Sequence, residues 1–214
     1  MLGTPKRDRV AERREATRQE ILDAAWSLAR EVGLSNITLR EIAQRVGMQP
    51  PSLYSHFDSK NAIYDAMFGQ AWEDCEIHGF ADPEKLPPHP RAAIKQFARV
   101  WFDYAVADLA RYQLMNQRTI PGFEPSPGSY APAVRALNRG VEVMRSLGVE
   151  DRDHFDIYVS LLGGLVDQQL ANDPGGDRFS RLLEPTIDMW ADAIGIPKES
   201  SSNGRASRKA GPKK

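Results

Sequence analysis

Cysteine is nearly absent: the 214 residues hold one, Cys75. A lone thiol excludes an internal disulfide framework and fits a reducing compartment. No apolar run approaches the roughly 20 residues a membrane-spanning helix needs, and the N-terminus lacks the apolar core of a secretion signal. The expectation is a cytoplasmic protein with no membrane partner, nucleoid-associated if it binds DNA. Metal ligands are equally scarce. Cys75 and His78 stand three apart, but no second His/Cys pair follows to complete the three or four ligands that zinc takes, so neither metal nor cofactor is implied. Catalysis needs a nucleophile and base or a pair of acids. Only His154 beside Asp151 and Asp153 comes near, and those acids stand where they would cap a helix, so the chain does not read as an enzyme. Long period-two alternation is missing too, which argues against strands.

The net charge of −1 conceals an uneven distribution. Residues 1–60 carry ten Lys/Arg against eight Asp/Glu, residues 61–197 twelve against twenty, and residues 198–214 six against one. An acidic body between basic ends fits a protein that offers only part of itself to an anionic polymer.

Apolar residues recur at helical spacing through most of the chain. Residues 1–16 read as a mobile basic arm. Helix one starts at Thr17, whose pairing with Glu20 suggests a capping box, carries Ile21, Leu22, Ala25, Leu28 and Ala29, and stops at Gly33. Thr38 with Glu41 forms a second such box for a short helix bearing Leu39, Ile42, Ala43 and Val46, closed by Gly47. Pro50 and Pro51 can open a third helix, expected to reach Phe57, because a first turn has no use for their missing N–H groups. Ser59 caps a fourth with Ile63, Met67, Phe68, Ala71 and Trp72 inward. Five more segments follow: one around Phe97, one over Leu109 to Met115, one from Val134 after a Pro/Gly loop at 121–128, one around Tyr158, and one around Ile187. The fold class is all-α with about nine helices: a helix-turn-helix unit at 17–62, a larger ligand-binding and dimerisation domain at 63–195, and a disordered basic tail at 196–214.

Helices two and three carry the functional signal. Ala43 is small where two helices would cross, Gly47 makes the turn four residues on, and Leu53 faces inward six further on, as helix-turn-helix packing requires. Outward residues have the chemistry of DNA contact: Gln49 and Ser52 at the start of helix three for bases or phosphates, and Thr38, Arg40, Tyr54, His56 and Lys60 for the backbone. The run Thr38-Leu39-Arg40-Glu41-Ile42-Ala43-Gln44-Arg45-Val46-Gly47, followed by Leu53-Tyr54-Ser55-His56-Phe57-Asp58-Ser59-Lys60, resembles the DNA-binding signature of the TetR family of bacterial one-component regulators. The resemblance covers about 50 residues, from Ile21 to Trp72, and beyond them only size and helical pattern agree. It implies a homodimer, usually a repressor released from a palindromic operator when a small molecule enters the larger domain and spreads the reading heads. Carried over by position, Thr38 and Arg40 would touch phosphates, Gln49, Pro50 and Ser52 would approach bases, and Tyr54, His56 and Lys60 would clamp the backbone. The proline pair departs from the more polar residues often found there, which shifts the expected readout toward contact with thymine methyl groups.

In the body, Trp72, Phe97, Trp101, Tyr104, Tyr112, Phe123, Tyr130 and Tyr158, with Gln168 among nearby polar groups, are candidates for an apolar or aromatic effector site between helices five and eight. Any one of them alone reads as plain core. Helices eight and nine are candidates for the dimer face through Leu161, Gly164, Leu165, Leu183, Ile187 and Trp190, because Gly163 and Gly164 inside an apolar helix suggest close helix approach. The other reading is a DNA-binding regulator or architectural factor without an effector. The basic tail could add nonspecific DNA affinity or be solvated chain. The sequence leaves effector, operator, regulated genes and the sign of regulation open.

Overall fold

The computed structural model describes residues 9–199, and among them every regular element is helical. The nine α-helices are α1 (Arg9–Val32), α2 (Leu39–Arg45), α3 (Pro50–Leu53), α4 (Lys60–His78), α5 (Pro90–Val106), α6 (Leu109–Asn116), α7 (Pro127–Ser146), α8 (Arg152–Asn172) and α9 (Leu183–Ala193). Expected stops and starts mostly hold. The Thr38 hydroxyl accepts the Glu41 N–H at 3.2 Å and donates to the Glu41 carboxylate at 2.6 Å, Ser59 accepts the Ala62 N–H at 3.1 Å, and the Asp151 carboxylate accepts the Asp153 N–H at 2.9 Å.

Four boundaries differ from the expectation. Helix one starts at Arg9, eight residues early, and the Thr17 hydroxyl donates to the Arg13 carbonyl inside the helix instead of capping it. Arg, Glu and Ala at 9–16 are good helix formers that need no apolar face to extend an anchored helix; the rest of the expected arm, 1–8, lies outside the described residues. Helix three ends at Leu53, not Phe57, as the Ser55 hydroxyl donates to the Ser52 carbonyl at 2.7 Å and the chain tightens into turns. Helix seven begins at Pro127, inside the expected loop, because Ser126 caps it and Pro127 takes the first helical position. Residues 196–198 of the expected tail are anchored: Ile196 is buried, and Arg91 donates to the Ile196 and Pro197 carbonyls. The tail beyond 199 lies outside the described residues.

Two apolar cores organise the chain. The first joins α1 to α4 and takes in Ala110 and Leu114 of α6, Ile120 and Ala133. The second is built from α5, the C-terminal part of α7, α8 and α9. Helix α4 lies along α7, close enough that a Cβ on Gly69 would stand 3.5–3.6 Å from Ser129. Polar ties reinforce the junction: the Asp65 carboxylate accepts from the Ser126 N–H and from the Ser126 and Ser129 hydroxyls at 2.6–2.8 Å, and Arg30 of α1 holds the α6 cap Asp108 at 2.8 Å.

Candidate nucleic-acid interface and effector cavity

The turn between α2 and α3 is fixed by its backbone. Gly47 has φ +70°, a conformation that favours glycine, and the Met48 N–H reaches back to the Ala43 carbonyl at 2.8 Å. Ala43 and Leu53 are both buried, so the two helices close on each other as their spacing predicts. Arg45 is spent inside the unit, forked onto Glu31 of α1 at 2.7 Å through both nitrogens. That hydrogen-bonded pairing holds the Glu31 carboxyl below its ordinary value.

Of the expected DNA-facing residues, Thr38, Arg40, Gln49, Ser52 and Tyr54 are exposed and lie on α2, α3 and the turns that flank them. Pro50, His56 and Lys60 are half-buried. Lys60 donates to the Ile37 carbonyl at 2.9 Å, and the His56 Nδ1 is buried with no partner among the described residues. Two residues escaped the sequence reading. Arg14 donates to the Ser55 carbonyl at 3.2 Å, while Arg18 donates to the His56 carbonyl and lies 4.0 Å over the Phe57 ring. The signal was there, as a basic residue every turn of α1, but it read as part of an arm.

A cavity of about 110 Å³ lies where α4, α5, α6, α7 and α8 converge. Four expected ligand residues line it: Trp72 of α4, Phe97 and Trp101 of α5, and Tyr158 of α8. The reading missed Phe80, Phe155, Leu137 and Gly140, of which the glycine leaves room where a Cβ would stand 3.4 Å from the Phe155 ring. No charged side chain lines the space among the described residues, and Asn116 at the end of α6 is its polar edge. Trp72 Nε1 and Tyr158 OH are buried without a hydrogen-bond partner among the described residues. Burial pushes the Tyr158 phenol above its ordinary pKa, so it keeps its proton.

The remaining candidates lie elsewhere. Tyr104 faces Arg111, whose guanidinium is 3.7 Å from its ring, and donates to Asp74 at 2.9 Å. Tyr112 is buried in the second core, with its pKa raised by burial and by Asp167. Phe123 and Tyr130 border a separate hollow beside Phe68, on which Tyr130 stacks at 6.1 Å. Gln168 is exposed and accepts from Asn172. In these cases the helical repeat gave the right helix and the wrong side of it.

The dimer set also divides. Leu183, Ile187 and Trp190 are corrected: they are buried in their own subunit, and the Trp190 indole donates to the His154 carbonyl at 3.1 Å. Leu161 and Gly164 face outward, Leu165 is half-buried, and a Cβ on Gly163 or Gly164 would meet no atom within 4 Å among the described residues. Exposed Ile157 beside Leu161 and exposed Met189 on α9 were missed. Cys75 faces the core with its thiol pushed up to about 12 by burial, while His78 stands at the surface near Asp74.

The sequence model described as bacterial regulatory proteins of the tetR family matches residues 21–67, from the buried part of α1 to the first half of α4. A class A tetracycline repressor protein from transposon 1721 of Escherichia coli is 45% identical over 187 residues, which cover 81% of this chain and 80% of that protein. The chain belongs to the TetR family. This TetR-family chain is therefore a DNA-binding transcriptional regulator and not an enzyme. The HTH-type transcriptional activator FasR of Mycolicibacterium smegmatis is 26% identical over 86% of each chain. Among solved structures, BioQ with its double-stranded DNA operator aligns with a TM-score of 0.57 and 16% identity over 84% of this chain and 98% of that one. A TetR from Acinetobacter baumannii AYE in complex with minocycline aligns at 0.54 and 19% over 83% and 95%. At such identities these structures share the fold. No helix among the described residues is long and apolar enough to cross a membrane.

Proposed function

We propose that this regulator is a homodimeric, effector-released repressor whose paired heads read a palindromic operator. The observation that carries the reading is the position of α4. One end of it braces the head, with Lys60 bonded to the Ile37 carbonyl and the Tyr64 hydroxyl to the Leu34 carbonyl at 2.5 Å. Twelve residues on, roughly 18 Å along the helix, Trp72 forms a wall of the cavity. A molecule that seats better with α4 displaced therefore shifts the heads, because it favours the state it binds more tightly.

Thr38, Arg40, Tyr54, His56 and Lys60 take phosphate roles in this reading, and Gln49, Pro50 and Ser52 approach bases from the start of α3. The effector is small, apolar or aromatic, and enters the α4–α8 cavity. The dimer forms through the outer stripe of α8 and α9, where Ile157, Leu161, Gly164 and Met189 are exposed and the paired glycines permit close approach. Two heads one helical turn apart match a palindrome.

The test uses the purified full chain and a duplex selected from a random library, read by fluorescence anisotropy. Selected sequences should be palindromic, affinity should fall steeply with salt, and a small aromatic compound that binds the protein should release the duplex. Selection of sites without two-fold symmetry, or binders that leave the DNA complex intact, would overturn the reading.

A further inference from the structure

The cavity is dry in character, yet two hydrogen-bond donors face it without acceptors. Tyr158 is 2% exposed, with its hydroxyl buried and unpartnered, and the Trp72 indole N–H is in the same condition. An unmet buried donor costs about 1–3 kcal/mol, so an empty cavity leaves both unsatisfied and a molecule that brings an acceptor removes the penalty. No lining side chain among the described residues is charged, so nothing there repays the desolvation of a carboxylate or an amine. Size limits the occupant further. About 110 Å³ is less than the ~150 Å³ cavity known to hold one benzene. The rings of Phe97, Trp101 and Phe155 supply flat apolar walls, and exposed Leu137 and Val159 mark the mouth.

We propose that the effector is an uncharged, single-ring aromatic molecule carrying a hydrogen-bond acceptor, such as a carbonyl, which takes hydrogen bonds from Trp72 Nε1 and Tyr158 OH. This rests on the reading of the cavity as the effector site. It separates the chain from the tetracycline repressor to which it is similar, because four fused rings exceed the space.

Four probes test it on the full chain by calorimetry and by tryptophan fluorescence, since Trp72 and Trp101 line the site. They are acetophenone, ethylbenzene as its partner without an acceptor, benzoate as a charged analogue, and minocycline. Acetophenone should bind about fivefold or more tighter than ethylbenzene, the worth of roughly one satisfied buried donor, and benzoate and minocycline should not bind. Tyr158→Phe and Trp72→Phe should each shrink the preference for acetophenone and leave ethylbenzene unchanged. Equal binding of acetophenone and ethylbenzene, or an unchanged preference in both variants, overturns the donor pair while leaving the cavity as an effector site. Tight benzoate or minocycline binding overturns the neutral or single-ring restriction. Should no probe bind, the cavity reading itself fails and this inference fails with it. The comparison of the four probes on the parent chain decides the matter even where a variant does not fold.

Discussion

Gly140 shows how one residue can trade stability against space. It is buried inside α7, where glycine costs about 1 kcal/mol relative to alanine, and a Cβ added there would sit in ordinary contact with Phe155, 3.4 Å away. Gly140→Ala should raise stability by up to about 1 kcal/mol, seen as a higher urea midpoint, while weakening ligands of the cavity severalfold in calorimetry. A stabilised variant with undiminished ligand affinity would place the ligand elsewhere. Residues of this kind explain what the sequence could not tell. A glycine in a helix reads only as a cost, and whether it faces a ring, a partner helix or solvent depends on the rotation of α7. The same limit produced the error at α9, where Leu183, Ile187 and Trp190 were legible as an apolar stripe but not as an inward one. A side-by-side pair measures that error. Trp190→Ala should cost about 3–5 kcal/mol of stability, whereas Met189→Ala, at a position 68% exposed, should leave the thermal midpoint nearly unchanged at concentrations where the chain is monomeric.

At the scale of elements, the recognition segment is the weakest piece. Helix α3 has four residues, too few to hold itself, so its position depends on Leu53 beneath it and on Arg14 and Arg18, which hold the carbonyls at its exit. Arg18→Ala removes a charged hydrogen bond and a stack on Phe57 without touching any surface residue assigned to bases. It should lower affinity for all duplexes alike, with sequence preference retained, as a competition series of duplexes would record. Caps made the starts of α2 and α4 legible, because Thr38 and Ser59 act within three residues of themselves. The early start of α1 was not, since its purpose is met 41 residues away at Ser55. The C-terminal clasp on α5 offers a pH prediction. Lys198 first, and then Arg91, hold the Asp192 carboxyl below its ordinary value. A depressed folded pKa means that the unfolded chain takes up the proton more readily. The contribution is therefore whole above about pH 4 and is lost as pH falls through the folded value. Asp192→Asn should be less stable than the parent at pH 7, and urea midpoints of the two should converge on acidification.

For the whole molecule the governing quantity is how many heads grip the duplex at once. Each head alone makes few base contacts, whereas a dimer turns the second engagement into an intramolecular event at high effective concentration. If α8 and α9 supply that dimer, a charge at the centre of their outer stripe should abolish it without unfolding the subunit. Leu161 is 37% exposed and borders the two glycines that meet no neighbour, so Leu161→Glu meets water in a lone subunit and apolar surface in a pair. Sedimentation equilibrium should show a monomer, with helical content by circular dichroism unchanged. Palindrome affinity should then fall by more than about a hundredfold at fixed salt. The slope of log affinity against log salt should drop to about half, because it counts the phosphates neutralised and one head reaches half of them. A merely misfolded variant would lose helical signal and slope together. A dimer that persisted, or a monomer that kept the full slope, would move the interface away from α8 and α9.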